Sequence, residues 1–165
     1  MSEYINFVGS VAVSPTLNPS EVRYLERFAA TRRMSRASGP YSTIETGRLV
    51  IPDGDILDVN TPPTGQPGLS CQWVPANDGT RIEWNRRSKF RFADEWLAYI
   101  IDHFLAPDAV LAQELSNPVE GRYYAPEFAD FTFDHTLNGS VDAYSEFGER
   151  WQLVVNGNAV SLQGV

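Results

Sequence analysis

Apolar residues alternate with polar ones at the start of the chain. In "YINFVGSVAV", Ile5, Phe7, Val11 and Val13 fall on one face, which predicts a half-buried strand with Gly9 as a bulge. The period then changes. "NPSE" offers Asn18 as a helix N-cap, Pro19 at the first helical position and Glu21 three residues after the cap. Val22, Leu25 and Phe28 or Ala29 make the apolar stripe of a helix running to about Arg33, with the arginines largely off that stripe and exposed.

Residues 38–70 are rich in Gly, Pro, Ser and Thr, and within them "RLVIPDGDILDV" predicts a small hairpin turning at Asp53-Gly54. "CQWVPANDGTRIEWN" predicts two short strands around Asp78-Gly79, with Trp73 opposite Trp84. "FADEWLAYIIDHFLAP" carries the strongest helical spacing, through Trp96, Tyr99 or Ile100, His103 and Phe104, and Pro107 ends it. A weaker helix spans Ala109 to Leu115. "TFDHTLNGSVDAY" and "WQLVVNGNAVSL" each hold Asn-Gly, a strong hairpin signal. Two-residue turns there place Phe133 opposite Tyr144, His135 opposite Asp142 and Leu153 opposite Val160. A tight connection at Phe147-Gly148 sets Tyr144 beside Trp151. The expectation is an α+β fold. It has a mainly antiparallel sheet ending in a four-stranded meander over 131–163, with two main helices on one face. Residues 1–165 read as a single domain with an irregular segment at 38–70.

Composition changes this picture in three ways. A chain of 165 residues can bury a core without disulfides, and its one cysteine, Cys71, forms no intrachain bridge, which fits a reducing compartment. "MSEYINFVGS" has no basic and apolar leader, and no apolar run reaches membrane-spanning length, so a soluble cytoplasmic protein is expected. The formal net charge is −8, yet Arg23 to Arg36 and Arg81 to Arg91 each carry +4, which leaves −16 on the rest. Lys89 is the sole lysine.

Those two windows are the candidate chemistry. Arg32, Arg33, Arg36, Arg86, Arg87 and Lys89, interleaved with aromatics as in "RRSKFRF", suit a protein partner, since arginine and aromatic residues are enriched at interfaces. The same groups suit a phosphate-bearing ligand, a nucleotide or single-stranded nucleic acid, although the surrounding negative charge opposes a polyanion. A third reading has them neutralised internally by Asp94, Glu95 or Asp102. No phosphate-binding glycine loop, nucleophile elbow or metal-ligand spacing is present, so no cofactor or metal is expected. Glu146 and Glu149, neighbours across a turn, are a weak cation site. His135 facing Asp142 is either the orienting pair of a general base or a polar pair satisfying itself. His103 reads as a half-buried packing residue.

Two stretches, "SPTLNPSEVRYLERFAATRRMSRASGPY" and "CQWVPANDGTRIEWNRRSKFRFADEWLAYIIDHFLAPDA", resemble a family of small uncharacterised proteins from actinobacteria and their bacteriophages. The likeness rests on Leu17-Asn18-Pro19, Arg32-Arg33-Met34, Gly39-Pro40-Tyr41, Gln72 to Pro75, Glu83-Trp84, Trp96 to Ile100 and Phe104 to Pro107. Arg86-Arg87-Ser88 departs from the glycine and acidic residue of that pattern. The resemblance implies an actinobacterial or bacteriophage origin, as an accessory or virion-associated protein, and adds no catalytic residue.

Overall fold

The computed structural model describes residues 4–43, 53–87 and 89–164. Six antiparallel strands form the main sheet: β1 (Ile5–Ser14), β4 (Trp73–Pro75), β5 (Arg81–Trp84), β6 (Thr136–Ser145), β7 (Arg150–Asn156) and β8 (Ala159–Gly164), in the order β4-β5-β1-β6-β7-β8. Two short strands, β2 (Ser35–Arg36) and β3 (Ile56–Asp58), pair separately. The helices are α1 (Pro19–Ala30), α2 (Ala93–Ile100) and α3 (Val110–Ser116), with α2 running directly into a π-helical turn at Ile101–Leu105. The fold is α+β, as the alternation and helical spacing predict.

α1 begins as its sequence requires. The Asn18 side chain accepts from the Glu21 N–H, while the Glu21 carboxylate accepts from the Asn18 N–H at 2.8 Å, a complete capping box with Pro19 at the first position. The helix stops at Ala30 rather than Arg33, because Thr31 is extended and its hydroxyl donates back to the Arg27 carbonyl. α2 has almost no polar face: Trp96, Leu97, Tyr99, Ile100 and Ile101 are all buried. It packs against β4 at one sheet edge and β8 at the other, so the sheet curls around it. An aromatic cluster fills the layer between, with Tyr24 meeting Phe28, Phe104, Phe128 and Phe131 edge-on or tilted at 4.6 to 6.0 Å.

The hairpin at Asp78-Gly79 has the expected register, with Trp73 opposite Trp84. Both indoles are tied down. Trp73 donates to the Ala93 carbonyl and Trp84 to Gln72 Oε1, so the hairpin is anchored to the chain entering α2. The first arm of the hairpin expected at Asp53-Gly54 lies outside the described residues; its second arm, Ile56–Asp58, pairs with Ser35–Arg36.

The C-terminal region corrects three expectations. It contributes three consecutive strands, not four, because Asn138-Gly139 is no turn. β6 passes straight through it, paired with β1 in unbroken register from Ile5↔Ser145 to Ser14↔Thr136. The same register leaves Gly9 without a bulge. A Cβ on Gly139 would stand 3.1 Å from the Ser10 carbonyl oxygen and 3.2 Å from Val11 Cα, so the residue's role is close approach of two strands. Tyr144 lies opposite Arg150, not Trp151, a shift of one residue that turns Tyr144 away from the core face. The last turn is centred on Gly157 and Asn158, both at positive φ, so Leu153 faces Leu162 and Val155 faces Val160.

Gly139→Ala is expected to lower unfolding free energy by about 2–3 kcal/mol, combining backbone strain with a clash in the β1-β6 ladder. Gly121→Ala, also at positive φ but facing open space, should cost about 1 kcal/mol. Urea denaturation of both variants checks the difference, and equal losses would contradict the close-approach role.

Candidate functional site

The first arginine window divides between the interior and the surface. Arg33 is 2 % exposed and Arg36 is also buried, against the expectation that both face solvent. With α1 ending at Ala30, Arg33 turns inward, donates to the carbonyls of Thr31, Pro40 and Ser42, and lays its guanidinium 4.2 Å from the Phe28 ring centroid. Burial lowers its pKa to about 10, so it is still a cation at neutral pH. Arg36 lies 3.9 Å from Asp55 and donates to the Arg32 carbonyl, and burial lowers its pKa too. These two arginines organise the chain after α1 and present no charge to a partner. Arg23 and Arg27 lie outside, both beside Glu127.

Arg32 remains exposed. Its Nε donates to the Val59 carbonyl at 3.0 Å, which holds the guanidinium beside the end of α1. Across from it, the chain leaving β5 turns sharply. Arg86 has φ +61°, and the Arg87 N–H donates to Asn85 Oδ1. Arg86, Arg87 and Arg91 are exposed, and among the described residues none of the three forms an ion pair with Asp94, Glu95 or Asp102. Lys89 is half-buried, with its ammonium 5.1 Å from the Tyr4 ring centroid.

The surviving surface cations converge. A cleft of about 610 Å³ lies between the end of α1 and β4, lined by both Arg32 and Arg87, with Gln72, Asn77 and Asn85 supplying amides. Among the described residues, Glu26 is its only acidic lining residue. A second cleft of about 310 Å³ adjoins it, shares Leu69 and Ser70, and is lined by Lys89, Arg91 and the exposed ring of Phe92. The two windows, some fifty residues apart in sequence, therefore meet along one track beside Leu69 and Ser70. The C-terminal carbonyls of α1 disfavour an anion here, by up to about 1 kcal/mol at an exposed site. Arg32, Arg87, Lys89 and Arg91 oppose that effect with four positive charges.

The His135–Asp142 pair does not form. Asp142 accepts from Gln152 Nε2 on β7, whereas His135 precedes β6 and turns toward α1. Its Nε2 lies 2.8 Å from Glu21 Oε2 and its Nδ1 lies 2.6 Å from the Pro15 carbonyl. Both nitrogens face acceptors, an arrangement that favours the doubly protonated imidazolium. Burial by itself lowers the His135 pKa, but the bonds to Glu21 and Pro15, with the charges of Glu21 and Asp134, outweigh it and the net shift is upward. Glu21 is 0 % exposed and His135 1 %, which makes the pair a buried ion pair and a structural one. The signal that could have found it was already in the sequence, since Glu21 in a capping box leaves one carboxylate oxygen free for a partner.

His103 is half-buried as expected. It stacks on Tyr99 at 3.9 Å and lies 3.2 Å from the Tyr41 hydroxyl, and burial lowers its pKa to about 4. Glu146 accepts from the Tyr4 N–H, and among the described residues no group of His, Cys, Asp and Glu is arranged to hold a metal ion. No described helix is long and apolar enough to cross a membrane. Comparison with family models, with curated proteins and with solved structures gives no match.

Glu21→Ala should lower stability by about 3–5 kcal/mol, because it strands a buried cation and opens a helix cap. The pH dependence has a definite sign. His135 has its folded pKa raised above the unfolded value near 6.5, so its contribution is complete below 6.5 and is lost as pH rises through the folded value. His103 acts in the opposite window, costing stability as pH falls from 6.5 toward 4. Thermal denaturation across pH 6 to 9 should show a decline in wild type that is absent in His135→Gln; parallel curves would refute the imidazolium assignment.

Proposed function

We propose that this chain is a non-enzymatic binding protein that engages an acidic segment of a protein partner through the track bounded by Arg32, Arg87, Lys89 and Arg91. The observation that carries this reading is the convergence of two sequence-distant cationic windows on adjoining clefts whose described lining holds one acidic residue, Glu26. Phe92, exposed at the end of the track, supplies an apolar contact beside the charges, the combination found at the centre of many interfaces. Amides from Gln72, Asn77 and Asn85 add neutral hydrogen-bonding groups suited to a peptide backbone.

Charge favours a short acidic peptide over a long polyanion. The chain is −8 overall, so an extended nucleic acid would be attracted to the track and repelled by most of the remaining surface. A peptide that occupies only the clefts avoids that repulsion. The sequence resemblance to small proteins of actinobacteria and their bacteriophages fits an accessory protein acting on a host or virion component in the host cytoplasm. The separation of His135 from Asp142 removes the pair on which an enzymatic reading stood.

The test is the double reversal Arg32→Glu, Arg87→Glu, read with a labelled Asp/Glu-rich peptide by fluorescence anisotropy at low salt. Binding should fall by at least about tenfold, the effect of losing two cationic contacts, while Tm moves by less than about 4 °C. Equal loss of binding and stability would assign the arginines to internal support. Tighter binding of a nucleotide or an oligonucleotide than of the peptide would favour a phosphate ligand.

A further inference from the structure

The two edges of the main sheet are protected very differently. In β4 the residues whose backbone groups point outward are Trp73 and Pro75, because Gln72 and Ala76 bond to β5. Pro75 has no N–H, and the Trp73 N–H is taken by the Cys71 thiol, whose pKa burial pushes up to about 12. That edge has no free donor, and α1 packs against it. It cannot accept another strand.

β8 lacks the proline and the thiol, although α2 packs against it as α1 packs against β4. Its turn at Gly157 and Asn158 makes Ala159, Ser161 and Gln163 the residues that bond to β7, so the N–H and C=O groups of Val160, Leu162 and Gly164 point outward. Among the described residues no other group bonds to them. The strand holds no proline, its register with β7 is unbroken, and Leu153 to Val165 contain no charged residue in a chain that is 21 % charged. Leu162 lies opposite Leu153 on the core face but is 53 % exposed. Beside it is a mainly apolar cleft of about 170 Å³ lined by Phe7, Phe90, Phe92, Trp151, Leu153 and Leu162 itself, together with Asp94. The apolar face of the sheet thus runs past its last strand.

We propose that β8 pairs antiparallel with β8 of a second copy of this chain, about a two-fold axis through Leu162, to form a continuous twelve-stranded sheet. Outward backbone groups at Leu162 then bond to each other, and Val160 of each copy meets Gly164 of the other. Residues directly opposite share a face, so the two Leu162 side chains meet on the cleft side and close both apolar clefts together. A second copy suits the edge because the pairing segments carry no charge and lie opposite identical segments. Each copy is −8, so the long-range repulsion between copies is screened by salt and the dimer tightens as salt rises. Binding of an acidic peptide in the arginine track has the opposite salt dependence, which keeps the two proposals separable.

Sedimentation velocity of the chain over a wide concentration range should show a monomer–dimer equilibrium, with the dimer favoured at high salt. Leu162→Lys should weaken it by at least about tenfold, since it places two like charges face to face on a paired edge. Because that substitution is at an exposed position, unchanged circular dichroism is expected. Hydrogen exchange of wild type supplies a second readout. The amides of Val160, Leu162 and Gly164 should exchange quickly in dilute protein and slowly in concentrated protein, while those of Ser161 and Gln163 stay protected throughout. A monomer at every concentration, a dimer indifferent to Leu162→Lys, or outward amides that exchange alike in both conditions would overturn the proposal.

Discussion

His135 and Glu21 are the joint at which the layers of this protein meet. Glu21 belongs to the first turn of α1, where one carboxylate oxygen completes the helix cap and the other receives the imidazolium. His135 in turn binds the Pro15 carbonyl between β1 and α1, donates its own N–H to the Leu105 carbonyl at the end of the π-helical turn, and accepts from Asn158 in the last hairpin. One residue therefore ties together the first helix, the turn that follows the central helix and one end of the C-terminal strands. Burying two opposite charges costs solvation that their attraction does not automatically recover. Here every remaining polar atom of the pair has a partner, the condition under which such a pair specifies a single arrangement.

The same accounting explains how the arginines are sorted. Arg33 can be buried because three carbonyls and an aromatic face receive its fork, and Arg36 because Asp55 and the Arg32 carbonyl are within reach. Arg32 lies between these two in sequence but points the other way, tied by Nε to Val59 with the rest of its guanidinium in the cleft. The left-handed turn at Arg86 is followed by Arg87, which lines the same cleft as Arg32.

Control of the sheet edges follows from equally local chemistry. A proline and a buried thiol close β4, whereas β8, although α2 packs against it, keeps its outward amides and an open, mainly apolar flank. The two candidate interaction surfaces differ in kind, one charged and concave, the other neutral and linear.

Local sequence determined what depends on local physics. The alternation of Ile5 to Val13, the capping box at Asn18 to Glu21, the Trp73–Trp84 hairpin and the apolar helix before Pro107 involve groups within a few residues of one another, and all four stand as read. Long-range pairing decided the rest. Asn138-Gly139 has the chemistry of a turn, but ten paired residues of β1 hold β6 straight through it, and Gly139 serves to let two backbones approach. One residue of register moved Tyr144 off the core face, and the true partner of His135 lies 114 residues away in α1. Arg32, Arg33 and Arg36 are alike in composition, and only the point at which α1 stops decided which of them meets solvent. Charge and periodicity fix what each segment is able to do, whereas which partner satisfies a buried polar group depends on contacts that exist only after the chain has folded.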